Sequence, residues 1–590
     1  MLLPGRRLLA RLVLAALVAL APSFGLAQTR SNGPPGLLQA NLAVPSATAR
    51  LLPVIARHGA VSSQEALATK VGVDILKRGG NAVDAAVAVG FTLAVTLPAA
   101  GNLGGGGFML VHIAKTGETI AIDYREAAPM AATRDMFLGA NGEPDPAKSR
   151  DSGLGIGVPG SVAGLALAEA RYGSGKFTLA ELIAPAIALA RDGIPVEGGL
   201  ADSLERDSRL GKFGPSRAVF FADDKPIARG GTLVQADLAR TLEAIARSGP
   251  DAFYRGPIAD RIVAAVKAAG GIMTSDDLAA YHPIIRKPVT GTYRGYDIVS
   301  MPPPSSGGVH LVEILNILEG FDLAKLGAGS ADQIHLLAEA MKPAYADRAR
   351  YLGDPDRVAV PVAGLTSKAY AATLRAGIDS NRARPAEDIA AGNPLPYESD
   401  QTTHFSVVDQ DGNAVANTYT LNYFFGIGLI ADGTGVLLNN ELDDFAAKTG
   451  AQNTFGLVGG EMNSVAPGAR PLSSMSPTIV FKDGKLVLVT GSIGGSRIIT
   501  HTLQAIVNVV DNNMNIAEAI TAPRIHHQWK PDVLSVETGL SPDTLRLLAA
   551  KGHRIVVGNA SGSTNSIMVF PDHLEAAADP RYRDTLAAGY

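Results

Sequence analysis

"SDQTTHFSVVDQDGNAVANT", residues 399–418, sets a polar run against two apolar runs, "THFSVVD" and "NAVANT", joined across Asp411-Gly412. That is the pattern of a β-hairpin with a buried face. Thr402 and Thr403 head its first strand, and β-propensity alone is reason enough for two threonines there. The segment before them, "SNRARPAEDIAAGNPLPYESDQ" (residues 380–401), holds three prolines and no apolar period, so it reads as a mobile linker. A threonine hydroxyl is a weak nucleophile by itself. If the chain were cut before Thr402, a free α-amine of ordinary pKa, roughly 7.7 to 8.0, would become available on the same residue as a base.

Outward from the hairpin, strands follow quickly: "GVLLNN", "SPTIVF" and "KLVLVTG", the last two meeting at Asp483-Gly484. Upstream, "FMLVHIA" and "ETIAIDY" face each other across Lys115-Thr116-Gly117, and these strands could join the later ones. Between Ser62 and Thr96 the spacing predicts two helices, broken at Gly79-Gly80 and restarted by Asn81 as N-cap. From Asp151 to about Asp379 helical periodicity dominates, as in "GSVAGLALAEARY" and "GGVHLVEILNILEGF". Helices packed on a mixed two-sheet core account for both halves, and one intertwined unit fits better than two domains.

The 590 residues, 46% hydrophobic and 18% charged, describe a globular chain with a large core. A net charge of -4 supplies no basic field for nucleic acid, and zero cysteines exclude disulfides, thiol catalysis and cysteine-ligated metals. The N-terminus has basic Arg6-Arg7, an apolar run from Leu12 to Ala21, and small residues at Gly25 and Ala27. This predicts a signal peptide, residues 1–27, since the run is shorter than the roughly 20 residues of a membrane span. A periplasmic or secreted protein is expected.

Several motifs fail on inspection. "GIGVPG" (residues 155–160) follows polar sequence instead of a strand, and "GSGKFT" (residues 173–178) lacks both the first glycine and the magnesium-binding hydroxyl of a phosphate loop. No H-E-x-x-H or G-x-S-x-G is present, and no metal or other cofactor is expected. Four other segments carry more. "LVLVTGSIGGSRIITHTLQ" runs from strand through Gly494-Gly495 into a helix starting near Ser496, where free amides suit an oxyanion, or where glycines merely allow tight packing. "DYREAAP" places Arg125 after an apolar strand, to clamp a carboxylate or form a local ion pair. "NNELDDF" offers Glu441, Asp443 and Asp444 to an ammonium, to calcium or to a helix N-terminus. "RPLSSMSP" offers the Ser473 and Ser474 hydroxyls to a ligand carboxylate or to a turn.

With "AGNLGGGGFML", "DYREAAPMAATRDM", "SMPPPSSGGVH", "EAMKPAYADRARYLGDPD" and "QTTHFSVVDQDGNAV" joined to "NNELDDF", "RPLSSMSPT" and "TGSIGGSRIIT", the chain resembles the exported bacterial gamma-glutamyltransferases over nearly its whole mature length. The resemblance implies an N-terminal nucleophile hydrolase, an α/β protein with an αββα four-layer sandwich formed jointly by two subunits. It implies self-cleavage between Gln401 and Thr402 into a large subunit, residues 28–401, and a small catalytic subunit, residues 402–590. It further implies that Thr402 attacks the gamma-glutamyl carbonyl of glutathione or a related donor, and that Thr420 hydrogen-bonds this nucleophile. Gly494 and Gly495 would hold the oxyanion. Arg125, Ser473 and Ser474 would hold the donor's α-carboxylate, while Asp444, Asn422 and Glu441 would hold its α-ammonium. Water, an amino acid or a peptide would then accept the group. Phe455, in the lid-like run "TGAQNTFGLVGGE" (residues 449–461), departs from the tyrosine often found there and has no hydroxyl with which to latch onto Asn422. Within the fold, the neighbouring expectation is a glutaryl acylase, whose substrate lacks the α-ammonium. A non-catalytic exported protein that binds glutamyl peptides is the alternative outside catalysis.

Overall fold

The computed structural model describes residues 51–393, 403–453 and 456–590. The expected signal peptide, the Gln401-Thr402 bond and Phe455 lie outside the described residues.

Fourteen strands build two large sheets. In chain order they are β1 (Val54–Ala56), β2 (Ala60–Ser63), β3 (Gly106–Ile113), β4 (Glu118–Tyr124), β5 (Ile284–Arg286), β6 (Val289–Tyr293) and β7 (Tyr296–Ser300). They continue as β8 (Thr403–Val408), β9 (Ala414–Thr420), β10 (Thr478–Lys482), β11 (Lys485–Thr490), β12 (Ser566–Val569), β13 (Leu574–Ala577) and β14 (Leu586–Gly589). One sheet has the order β14-β2-β8-β9-β3-β4-β5, and the other β1-β13-β12-β11-β10-β7-β6. The three expected hairpins form: β8 pairs with β9 from Thr403 opposite Tyr419 to Val408 opposite Ala414, β3 pairs with β4, and β10 with β11. Pairing of β9 with β3 joins the first two into one sheet, as the sequence anticipates.

Strand alternation divides the side chains between cores. Phe405 and Val407 of β8 join a core with helices α1 (Ala66–Lys77), α2 (Ala82–Thr96), α3 (Ser161–Tyr172) and α4 (Leu179–Asp192). Val408, Ala414 and Ala416 instead meet Ile479, Val489 and Ile567 of the other sheet in a central core rich in alanine. The outer face of that second sheet, through Val480 and Leu488, packs on α5 (Gly307–Leu318), α6 (Ala331–Tyr351) and α7 (Arg497–Val510). Helix, sheet, sheet and helix are therefore four successive layers, the αββα sandwich.

Three expectations need correction. Ser62 and Ser63 do not open a helix, because β2 takes Ser62 into the ladder opposite Ser406; α1 starts after Glu65, whose carboxylate accepts from the Leu67 and Ala68 amides. The helical middle contributes β5, β6 and β7, with a tight turn at Arg294-Gly295 (φ 53° and 80°) joining the last two. The supposed mobile linker is held over residues 380–393. Ala383 N donates to Lys551 O at 2.7 Å, and Trp529 Nε1 donates to Ala386 O and Ile389 O at 2.9 and 3.0 Å. Asn81 caps α2 as expected, in a reciprocal box with Asp84. Among the described residues, no helix is long and apolar enough to cross a membrane.

Candidate active site

Arg125 immediately follows β4 and is fully buried. Every nitrogen of its guanidinium donates: Nε to Pro471 O (2.8 Å), Nη2 to Asp444 Oδ2 (2.7 Å) and Leu472 O (3.3 Å), and Nη1 to Glu441 Oε1. Glu441 and Asp444 reach one guanidinium because Glu441–Asp444 is a 3₁₀ turn, in which residues three apart eclipse. Among the described residues no α-helix directly follows for these acids to cap, although capping is one sequence expectation for this segment.

A third carboxyl, Glu126, lies 3.8 Å from Arg125 Nη1 and is also fully buried. The sequence reading missed it, although it adjoins Arg125. Burial pushes Glu126 up to about 7, against the pull of Arg125, and raises Glu441 well above the ordinary carboxylate range. Both Glu126 oxygens and Glu441 Oε2 are buried without a hydrogen-bond partner among the described residues, and the negative charges of Glu126 and Asp444 add to the upward push on Glu441. Arg125 is held firmly cationic by its three acidic neighbours, chiefly Glu441. The cluster thus has more acid than base, a setting that favours a second cation.

Thr420 ends β9, and Thr403 pairs one residue before it, opposite Tyr419. The Thr420 hydroxyl accepts from Asn422 N at 2.8 Å. Asn422 has φ 72°, a left-handed conformation that asparagine tolerates better than most residues. Its Nδ2 donates to Asn440 O at 2.9 Å, tying it to the acidic turn, and its buried Oδ1 has no hydrogen-bond partner among the described residues. Thr420, Asn422 and Gly494 line one cavity of about 180 Å³.

Gly494 (φ 125°) and Gly495 (φ 66°) form the turn from β11 into α7, with Ser496 as N-cap. Both angles fall where side-chain-bearing residues are strained. Among the described residues neither glycine amide donates to a backbone carbonyl, so both remain available to an anion at a helix N-terminus. A methyl added at Gly494 would meet Gly562 Cα and His501 Cε1 at 3.4 Å, ordinary contact, so conformation and not crowding requires glycine there.

Ser473 and Ser474 are buried beside the start of α5. Ser473 O accepts from Ser306 N at 2.7 Å, and Ser474 Oγ accepts from Arg348 Nη2 at 2.9 Å. Arg125 reaches the carbonyl of Leu472, the residue before this pair. Arg348 is a second residue the sequence reading passed over; its only trace is its place in "EAMKPAYADRARYLGDPD".

One further cluster, His335, Glu339 and His553, brings its ligand atoms within 4.8 Å of one another. Glu339 already accepts from Lys342 Nζ (2.7 Å) and Arg384 Nε (3.3 Å), while His335 Nδ1 and His553 Nε2 hydrogen-bond at 2.8 Å. Two side-chain cations therefore satisfy this carboxylate, and the cluster serves to anchor the chain near Asp379, whose carbonyl bonds His335 Nε2.

The description of the family profile matching residues 68–589 is gamma-glutamyltranspeptidase. The chain is 58% identical over 541 residues to the glutathione hydrolase proenzyme of Escherichia coli (strain K12), covering 91% of this chain and 93% of that protein. Its fold matches a cephalosporin acylase from Bacillus halodurans with a TM-score of 0.80 at 28% identity, over 92% of this chain and 97% of the other. A Helicobacter pylori gamma-glutamyltranspeptidase matches with a TM-score of 0.55 at 45% identity, over 58% of this chain and 96% of the other. Together with the four-layer fold and the convergence of Arg125, Glu441 and Asp444, these likenesses place the chain in the gamma-glutamyltranspeptidase family.

Proposed function

We propose that the chain is a self-processing gamma-glutamyltransferase that cleaves the gamma-glutamyl bond of glutathione and related donors. The observation that carries this reading is the buried cluster of Arg125 with Glu126, Glu441 and Asp444, which combines an always-charged guanidinium with surplus carboxylate. An α-amino acid head, anionic at one end and cationic at the other, is the ligand that matches both.

In this reading the precursor is exported, loses residues 1–27, and is cut between Gln401 and Thr402. The Thr402 hydroxyl attacks the preceding carbonyl; the C–N bond breaks as the ester forms, which frees the α-amine, and hydrolysis of the ester then releases the Gln401 carboxylate and restores the hydroxyl. In catalysis that amine takes the hydroxyl proton as Oγ adds to the donor's γ-carbonyl. The Gly494 and Gly495 amides stabilise the oxyanion, and the leaving amine departs with a proton as the gamma-glutamyl ester forms. Water then yields glutamate, or an amino acid or peptide amine yields a new gamma-glutamyl amide. Arg125, Ser473 and Ser474 bind the α-carboxylate; Asp444, Asn422 and Glu441 bind the α-ammonium; Thr420 orients Thr402. The anchoring of residues 380–393 supports a large subunit that stays docked after the cut.

Rates with a gamma-glutamyl anilide and its glutaryl counterpart, with and without a dipeptide acceptor, test the reading. A preference for the gamma-glutamyl donor of at least about a hundredfold is expected, because a glutaryl group brings no ammonium to the carboxyls that outnumber Arg125. A glutaryl preference would favour the acylase reading. Replacing Gly494 by alanine is expected to lower kcat by roughly 10²- to 10³-fold, through displacement of one oxyanion donor.

The raised Glu126 carboxyl predicts a pH dependence. Its folded pKa lies above the ordinary value, so the stability it contributes is present at low pH and lost as pH rises through about 7. Ionisation over the same range adds negative charge beside the ammonium seat. L-glutamate should therefore bind more tightly as pH rises through 7, and calorimetry on Glu126→Gln should find that rise removed. For Phe455, a lid that closes by apolar packing predicts that Phe455→Tyr changes the ratio of hydrolysis to transfer; equal product ratios in the two proteins would contradict this.

A further inference from the structure

We propose that Tyr345 and Arg348, one turn apart on α6, are positioning residues that set two halves of the site from a single helix: Arg348 the carboxylate-binding serine, Tyr345 the oxyanion turn. This rests on the roles proposed above for Ser474, Gly494 and Gly495.

Both side chains are buried, at 2% and 1% exposure, with the Arg348 guanidinium 5.8 Å from the Tyr345 ring centroid. Arg348 Nη2 donates to Ser474 Oγ at 2.9 Å. A guanidinium has donors only, so the serine oxygen accepts and its own O–H must point to another acceptor. Among the described residues one hydroxyl lies within reach of it, Ser306 Oγ at 3.5 Å, which itself donates to Ser473 O at 2.9 Å. That weak contact leaves the Ser474 proton available to a ligand carboxylate. Arg348 thus determines the direction of the Ser474 hydrogen bond as well as its place.

The Tyr345 hydroxyl donates to the carbonyl of Ser496, the N-cap that follows Gly494 and Gly495. Its ring is confined by His310, stacked at 6.1 Å, and by His526, edge-on at 5.7 Å. Ser496 Oγ is held in turn by Gln528 Oε1 at 2.7 Å. The turn that presents the two glycine amides is therefore clamped from α6. In the proposed two-chain product, both positioning residues lie in the large subunit and both of their targets in the small one.

The two contacts predict separable kinetics for the processed enzyme. Arg348→Met should raise the donor KM roughly tenfold with kcat changed far less, the loss of a charge-assisted hydrogen bond acting on binding. Arg348→Lys, which keeps a donor and a charge, should recover part of that loss and guards against misfolding of the methionine variant. Tyr345→Phe should lower kcat roughly tenfold at nearly constant KM. The deciding comparison is the double variant: if Arg348 acts through Ser474, Arg348→Met adds little to Ser474→Ala. Full additivity, or equal loss of kcat and KM effects in both single variants, would overturn the proposal while leaving the transferase reading intact. An unchanged KM in Ser474→Ala would remove the serine's role itself, and the proposal with it.

Discussion

Thr402→Ala is expected to give a single chain that does not separate on a denaturing gel and to transfer no measurable gamma-glutamyl group. In the proposed mechanism both effects trace to one oxygen: the hydroxyl that would attack the Gln401 carbonyl in maturation is the one that would attack the donor afterwards. Alanine removes it without altering the strand, since β8 begins at Thr403, which pairs with Tyr419 and bonds Gln64 Oε1 at 2.8 Å through its own hydroxyl. The variant should therefore melt like an unprocessed native chain. Thr402→Ser, which keeps an oxygen and the future amine, should still mature and turn over. Activity in an uncut Thr402→Ala chain would move the nucleophile elsewhere.

Arg125→Met is expected to have the second-largest effect, with losses in both stability and activity. It leaves Glu126, Glu441 and Asp444 buried without the cation that balances them, a loss of about 3–5 kcal/mol when one partner of a buried pair is removed. Donor kcat/KM should fall by about a thousandfold or more, beyond what a lower melting temperature explains. Lysine should not rescue it. One ammonium cannot reproduce a planar fork that meets Pro471 O, Leu472 O, Glu441 and Asp444 together. Wild-type kcat/KM in Arg125→Lys would show that the fork geometry is unimportant.

Local features of the fold were the legible ones. Asp411-Gly412 announces the hairpin β8–β9, Asn81 the start of α2, and Gly494-Gly495 a turn whose φ angles of 125° and 66° require glycine. Each depends on residues close together in the chain. The β6–β7 hairpin was less legible, because "VTGTYRGYDIVS" lies between helical segments and its Arg-Gly turn is a weaker signal than Asp-Gly. Residues 380–393 look free by composition and are held by Lys551 and Trp529, far along the chain.

The site was legible as residue types and illegible as partners. Arg125 after a strand, or acids in "NNELDDF", can each be explained locally; their meeting joins positions 316 and 319 residues apart. Glu126 is inconspicuous in the sequence because an acid beside an arginine is usually solvated, and only complete burial gives it its raised pKa. Tyr345 and Arg348 reach their targets across 151 and 126 residues, distances over which no periodicity carries information. In the sequence, only the resemblance to a family connects these segments.

The most direct test of the account is the N-terminal sequence of the smaller fragment in purified, active enzyme. Two chains are expected, the smaller beginning Thr402-Thr403-His404. A single active chain, or a small fragment beginning at any other residue, would contradict it.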